Sequence, residues 1–297
     1  MKEKTVFALG FFDGVHLGHQ ALLAACKSLA DDNGCKAGAV TFTTHPLAVV
    51  TGKAPKLINT QEDRKKLLLE QFHMDTVVEI PFDKSLMELP WTEFLAQLQS
   101  QHNAAGFVCG EDFRFGYQGQ GTALRLQEFC AKAQIPCTIV PEQRLDGIRV
   151  SSTHIRKLLE QGDMAQAVRF LGHPHILSGK VVAGKHLGTR LGTPTANLEL
   201  PGEAVVPRKG VYACRAYVEG KCYLAVTNIG NRPTVNGEGI TVEAWLLDFQ
   251  GDLYGKDLTL AFYVFLREEK KFDSLEELQQ EILYNAEQVR EFFYESR

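Results

Sequence analysis

From residue 5 onward, short apolar runs alternate with stretches whose apolar positions recur every three or four residues. TVFALG (5–10), AGAVTF (37–42), TVVEIPF (76–82), GFVCG (106–110) and PCTIV (136–140) read as strands. Between and after them, HQALLAACKSLADD, QEDRKKLLLEQF, WTEFLAQLQSQ, TALRLQEFCAKA and THIRKLLEQG carry helical spacing. This alternation predicts a mainly parallel sheet wound with helices, up to about residue 172. Past FLGHPHIL the texture changes. KVVAG, GVYACRAYVEG, KCYLAVTNIG, TVEAWLLDF and LTLAFYVFLR are strand-like runs with turns and no helix between them, which predicts a small antiparallel barrel. Ser274 followed by Glu277 is a capping-box pattern opening a last amphipathic helix. The expected organisation is an α/β domain over 1–172, a linker at 173–177, and an all-β domain with a terminal helix over 178–297.

Composition narrows the class of partner. The chain has 297 residues, 44% hydrophobic and 23% charged, the balance of a globular protein with a sizeable core. A formal charge of −4 and the lack of any basic block argue against nucleic acid and against a membrane surface. No apolar run approaches the roughly 18 residues of a membrane helix, so small molecules are the expected partners and the cytoplasm the expected compartment. Seven cysteines without a C-x-x-C pair fit neither a disulfide framework nor a zinc site. No feature of the sequence specifies an oligomeric state.

The chemistry is concentrated in a few segments. In GFFDGVHLGH (10–19) a strand ends at Gly10 and a helix begins near Gly18, so a glycine-bearing turn sits beside the positive end of a helix and suits a phosphate. His16 and His19, one helical turn apart, can both face such an anion and donate to charge developing on it. On its own an H-x-x-H pair reads first as partly buried polar residues beside a turn. SSTHIR (151–156) places Ser151, Ser152 and Thr153 at a helix start, either as ordinary caps or, with Arg156, as a second anion clamp. GKVVAGKH (179–186) is one residue from a P-loop, but His186 replaces the required hydroxyl and no helix follows. In PTAN, Thr195 and Asn197 present oxygens of the hard type that magnesium accepts. Glu243 alternates with Val242 and Ala244, as the solvated face of a strand or as a base would.

Taken together these segments resemble the bacterial bifunctional riboflavin kinase/FMN adenylyltransferases. GFFDGVHLGH resembles the G-x-F-D-G-V-H-x-G-H signature of that family. TFTTHP (41–46), GEDFRFG (110–116) and SSTHIR follow in the family's order. In the second half, GKVVAGKHLGTRLGTPTANL, PRKGVY, NIGNRPTV, VEAWLLDFQGDLYG and FLREEKKFDSLEEL resemble the riboflavin kinase signature. The resemblance implies an N-terminal doubly wound, Rossmann-like nucleotidyltransferase domain and a C-terminal antiparallel kinase barrel. It implies riboflavin, FMN and FAD as substrates and products, ATP as co-substrate, and Mg2+. Its motifs put His16 and His19 at the adenylyl transfer and Glu243 as the kinase base. ATP phosphates are expected at Gly10, Phe12, Asp13, Gly18, His45, Ser151, Ser152, Thr153 and Arg156, with FMN bound or positioned by Asp112, Phe113 and Arg114. In the kinase half, Gly179, Lys185, Thr195 and Asn197 are expected at Mg-ATP, the last two as metal ligands, and Trp245, Arg267 and Phe272 at the flavin.

The chain departs from that pattern at Thr44, at Arg190 and Thr193 within GTRLGTPTAN, at Trp245 where many relatives have His, and at Asn285 where Asp is expected. Two other classes compete. A single-activity nucleotidyltransferase leaves the PTAN barrel without a purpose, and a non-catalytic flavin-binding regulator has no need of Glu243, Thr195, His16 or His19.

Overall fold

The computed structural model describes residues 3–184, 192–202, 204–234 and 237–295. The chain divides into two compact units, Met1–Leu57 with Gln61–Ser152, and Ile58–Thr60 with Thr153–Arg297.

The first unit is built on five parallel strands in the order β3-β2-β1-β4-β7. These are β1 (Thr5–Leu9), β2 (Lys36–Phe42), β3 (Thr76–Ile80), β4 (Ala104–Gly110) and β7 (Cys137–Val140). β1 is buried along its whole length, as a continuous apolar run at the centre of a parallel sheet must be. The helices are α1 (Leu17–Asp32), α2 (Pro46–Thr51), α3 (Gln61–Lys66), α4 (Lys84–Glu88), α5 (Trp91–His102) and α6 (Ala123–Ala133). Short hairpins β5 (Arg114–Phe115) with β6 (Gly121–Thr122), and β8 (Arg144–Leu145) with β9 (Ile148–Arg149), complete it. Phe7, Leu9, Leu95, Leu98, Phe107 and Leu126 anchor the core between sheet and helices. Strand order reverses between β1 and β4, and in doubly wound sheets the crevice beyond the carboxyl ends of the strands at that switch point receives ligands. Gly10 follows β1 and Asp112 follows β4, so both expected site segments emerge there.

Two helices follow, α7 (Ser152–Gln161) and α8 (Met164–Leu171). The sequence pattern gave no expectation for α8. It buries Met164, Ala167, Phe170 and Leu171 on one stripe, is capped by Asp163, ends at left-handed Gly172, and packs against the strands of the second unit. Residues 173–177, expected as linker, include the start of β10 (His175–Val182).

The second unit is a closed barrel of six antiparallel strands in the order β10-β11-β14-β13-β12-β15, where β11 is Ala196–Glu199, β12 Gly210–Val218, β13 Lys221–Thr234, β14 Gly237–Leu246 and β15 Asp257–Arg267. α9 (Leu275–Glu295) lays Ala286, Val289 and Phe293 on a cluster with Val211, Ala213 and Val226. Its start is capped as the sequence indicates: Ser274 accepts from the amide of Glu277 at 3.1 Å, while the Glu277 carboxylate accepts from the amide of Asp273 at 3.2 Å.

Candidate active sites in the two units

The turn after β1 is strained. Phe12 (φ +58°), Gly14 (φ +85°) and Val15 (φ +38°) all lie at positive φ, which a β-branched residue such as Val15 rarely adopts. Strain of this kind is retained where the surrounding structure over-determines it, most often around ligands. A hydrogen bond from the Val15 amide to the Phe12 carbonyl closes the turn (3.1 Å), and the Thr41 hydroxyl donates to the Phe11 carbonyl (2.8 Å). Gly10 is tied to β2 by its amide, 3.2 Å from the Val40 carbonyl. Asp13 is buried, and its carbonyl accepts from the Ser152 hydroxyl at 2.9 Å. Two segments 139 residues apart in sequence, FFDG and SST, are thereby joined.

His16 is the N-cap of α1, and its Nδ1 accepts from the His19 amide at 3.3 Å. With Nδ1 acting as an acceptor, a neutral His16 carries its proton on Nε2. The two rings stack, 3.7 Å between centroids and 12° apart, and His19 meets Phe12 at 5.2 Å. Burial, then the neighbouring His16, then Arg64 hold His19 well below the usual imidazole range. His19 therefore presents a neutral ring near pH 7, suited to donating a hydrogen bond rather than supplying a cation. α1 has no acidic residue in its first turn, so nothing there opposes an anion at its positive end. Gly18 lies against the His16 ring.

His45 caps α2, its Nδ1 accepting from the Leu47 amide (3.2 Å), and meets Phe11 edge-on at 4.7 Å. Asp112 is exposed after β4 and forms an ion pair with Arg149, a partner that the sequence reading did not single out. Phe113 stacks on Phe115 at 5.5 Å, and Arg114 is exposed on β5. Ser151 precedes α7, Thr153 is exposed in its first turn and Arg156 is half-buried on it; the last two fall in the second unit. The structure thus brings together Gly10, Phe12, Asp13, His16, Gly18, His19 and Ser152. It does not gather Thr153 and Arg156 into the same unit.

The barrel site is built by register. Asn197 on β11 pairs with Glu243 on β14, and Glu243 pairs with Asn228 on β13. Asn228 pairs in turn with Val211, and Val211 with Arg267. Directly paired residues point to the same face of a sheet, so these side chains form one row across five strands. Along it lies a cavity of about 360 Å³, lined by Thr195, Glu243, Trp245, Asn228, Arg267 and Phe272 among others. That volume is in the range of small-molecule sites. Five expected residues, Thr195, Glu243, Trp245, Arg267 and Phe272, meet there. Asn197 sits in the same row beneath the backbone of Gly184, where a Cβ would collide with its amide. Gly179 lies elsewhere on β10, pressed against the Glu199 carbonyl and paired with Leu258. Lys185, like His186 and Arg190, lies outside the described residues.

At the far end of the cavity Arg267 donates from Nε and Nη2 to Oδ1 of buried Asn285 (3.1 and 3.0 Å) and pairs with Glu281 at 2.9 Å. Its guanidinium carbon is 5.8 Å from the Phe272 ring centroid. Lys270 pairs with Glu281 as well, and together with Arg267 it holds that carboxyl below its usual range. Asn285, where Asp is expected, serves as a neutral acceptor for Arg267. Thr193 is 1% exposed and lines the cavity with a hydroxyl that has no protein partner. Asn228 was not anticipated, and neither was Lys270; the Asn228 signal was its place in NIGNRPTV, readable only once the register is known. Among the described residues there is no cluster of three His, Cys, Asp or Glu able to hold a metal, and no helix is long and apolar enough to cross a membrane.

Comparison with known proteins gives the same two-part division. The FAD synthetase family model matches residues 1–154 and the riboflavin kinase family model matches residues 171–293. The bifunctional riboflavin kinase/FMN adenylyltransferase of Bacillus subtilis (strain 168) is 34% identical, covering 98% of this chain and 93% of its own. The protein of the same name from Escherichia coli (strain K12) is 36% identical, with coverage of 98% and 94%. A solved structure described as a macrolide-efflux protein from Streptococcus pneumoniae has the same fold, with a TM-score of 0.87 at 28% identity over 98% of this chain and 95% of that one. With matches of this identity running the length of both partners, the chain belongs to the family of bifunctional riboflavin kinase/FMN adenylyltransferases.

Proposed function

We propose that the chain makes both flavin cofactors in sequence, phosphorylating riboflavin to FMN in the barrel and adenylylating FMN to FAD in the parallel-sheet unit. The observation that carries the reading is the row in the cavity wall that sets the Glu243 carboxylate between Asn197 and Asn228, beside Thr195. A ribityl hydroxyl is a poor nucleophile. Glu243 accepts its proton as the hydroxyl oxygen attacks the γ-phosphorus of ATP, and the bond to the bridging oxygen breaks to release ADP.

The donor set suits magnesium: one hydroxyl and one amide oxygen are hard donors that leave positions for phosphate oxygens and water. Thr195 and Asn197 would hold it, and it would supply charge neutralisation at the transferred phosphate. Trp245 and Phe272 cover the isoalloxazine, and Arg267, fixed by Asn285, orients it.

In the first unit the FMN phosphate is already ionised, so the step needs positioning and charge stabilisation rather than a base. Its oxygen attacks the α-phosphorus of ATP and pyrophosphate leaves. His16 and His19 donate to the developing charge. Gly10, Phe12, Asp13 and Gly18 shape the turn that holds the triphosphate, joined by His45, Ser151 and Ser152. Asp112, Phe113 and Arg114 position FMN. Both reactions draw on ATP, and the cytoplasm is the proposed setting; the partners are small molecules.

Chromatography of flavins after incubation with riboflavin and Mg-ATP tests the reading. FMN and then FAD are expected; failure of either product overturns the corresponding half. We place the division of labour between residues 1–172 and 178–297. Fragments starting at Thr153 and at Ser178 should both phosphorylate riboflavin without making FAD, and FAD from either fragment overturns the division. The longer fragment should be the more stable, since it keeps α8 and the first residues of β10 on the barrel.

A further inference from the structure

The barrel cavity holds one polar group that the proposed kinase chemistry leaves unused. Thr193 lines it at 1% exposure, with its hydroxyl closed off from solvent and bonded to no protein group. It is also one of the positions at which the chain departs from the family pattern, so the hydroxyl is not a general feature of that pattern. A buried hydroxyl without a partner is destabilising, whereas an apolar group of the same shape, such as the side chain of valine, carries no such penalty. Its retention calls for a partner that arrives with a ligand. The cavity narrows what that partner is. Asn197, proposed for the metal, lies beneath Gly184 and outside the cavity wall, while Thr193 shares the wall with Trp245, Arg267 and Phe272, proposed for the flavin. Donors for the carbonyl oxygens of a flavin ring are already present in Arg267 and Lys270. Thr193 stands two residues before Thr195, so their Cα atoms are at most roughly 7 Å apart, and Thr195 lines the cavity with Glu243, where the reacting hydroxyl has to sit. The part of riboflavin that runs from the ring to that hydroxyl is the ribityl chain. Its hydroxyls both donate and accept, as a threonine hydroxyl does.

We propose that Thr193 is a specificity-determining residue of the kinase site: its hydroxyl, without a partner in the free chain, hydrogen-bonds a secondary hydroxyl of the ribityl chain of riboflavin. The two heavy atoms on its Cβ exchange places in one step of χ1, which brings the hydroxyl to the cavity surface as the polyol enters. The contact forms with the bound substrate and persists while the terminal hydroxyl reacts, so it strengthens binding and leaves the rate of transfer unchanged. It also sorts flavins by their side chain. A flavin that has the ring without the polyol gains the ring contacts and not this one. The inference rests on the reading that this cavity takes riboflavin.

The test uses the full chain with Thr193→Val and Thr193→Ser. Riboflavin phosphorylation is followed in the steady state with lumiflavin, which has the ring without the polyol, as a competitor, and the substrate-free chain is unfolded in urea. In Thr193→Val the KM for riboflavin should rise roughly 5–10-fold. Its kcat, its KM for ATP and the inhibition constant of lumiflavin should each stay within about twofold of the parent. The same variant should resist urea at least as well as the parent, because a methyl group replaces an unpaired buried hydroxyl. Thr193→Ser keeps the hydroxyl and should keep the KM within about twofold. A parent-like KM in Thr193→Val overturns the proposal. So does a lumiflavin constant that rises in step with the KM, since the hydroxyl would then meet the ring, and so does a loss of stability, since its role would then be structural. A KM in Thr193→Ser as high as in Thr193→Val would assign the effect to packing and overturn it too. If Thr193→Val does not fold, the hydroxyl belongs to the fold and the proposal fails. A parent chain that does not phosphorylate riboflavin strikes the reading of the cavity itself; a working parent with an unmoved Thr193→Val KM strikes this inference alone.

Discussion

On the proposed assignment the two units meet phosphate with different materials. In the first, the proposed site is ten consecutive residues: a turn at positive φ, the start of one helix, and two stacked imidazoles. In the barrel, the working groups come from five strands, and no two of the row Asn197, Glu243, Asn228, Val211 and Arg267 are neighbours in sequence. A turn site depends on backbone conformation and on one local segment. A barrel site depends on pairing register and on the identity of each side chain. The first should be broken by altering a dihedral angle; the second by altering one functional group at constant shape.

The sharpest way to separate them is Glu243→Gln, which keeps shape and register and removes only the base. Riboflavin kinase kcat should fall by on the order of 10²–10⁴, while supplied FMN is converted to FAD at the parent rate in the same preparation. Loss of both activities would mean that the two sites are not independent. Next in size is His19→Ala, expected to lower the kcat of adenylylation by on the order of 10²–10³. FMN should then accumulate from riboflavin, and a variant making FAD at the parent rate would make the histidine stack structural.

A smaller effect probes the backbone itself. Gly14 sits at φ +85°, and Gly14→Ala should destabilise the first unit by about 1–2 kcal/mol. Differential scanning calorimetry should show only that unit's transition moving, with adenylylation reduced and phosphorylation unchanged. An effect confined to acid pH concerns a histidine in the barrel. His175 is fully buried, with Nε2 3.1 Å from the Val205 carbonyl, and burial pushes it down to about 3. Folding favours its neutral form, so its contribution is complete above pH 6.5. It is lost as pH falls from there toward 3, at about 1.4 kcal/mol per pH unit while only the unfolded state takes up the proton. His175→Leu should flatten the acid side of the barrel's stability curve in urea titrations between pH 6.5 and 4.5; an unchanged slope would show that other groups set it.

The same contrast explains what the sequence discloses. GFFDGVHLGH is contiguous, so its turn, its helix start and the facing of His16 and His19 follow from local rules, and the β-α alternation indicates the sheet around it. The barrel row is invisible in that way. PTAN reads as a turn, yet Ala196–Glu199 is the short strand β11, held by pairing with both β10 and β14. Nothing local puts Asn228 beside Glu243. Arg64 is a third case. QEDRKKLLLEQF reads as one amphipathic helix with an exposed charged face, but Arg64 stands three and four residues before buried Leu67 and Leu68, on their side of the helix. A charged residue usually stays wet, and nothing local in QEDRKKLLLEQF marks the buried Arg64 as the exception.

The closed barrel also sets how this family member can change over evolutionary time. An open sheet can take up an inserted residue by letting an edge strand slide, but a ring of six strands has no edge at which to release the offset. One residue added to β14 ahead of Glu243 would turn that carboxylate to the opposite face and carry Trp245 with it. Length variation should therefore collect in the connections between strands, and within a strand it must be taken up as a local bulge, as at the register shifts between β12 and β15.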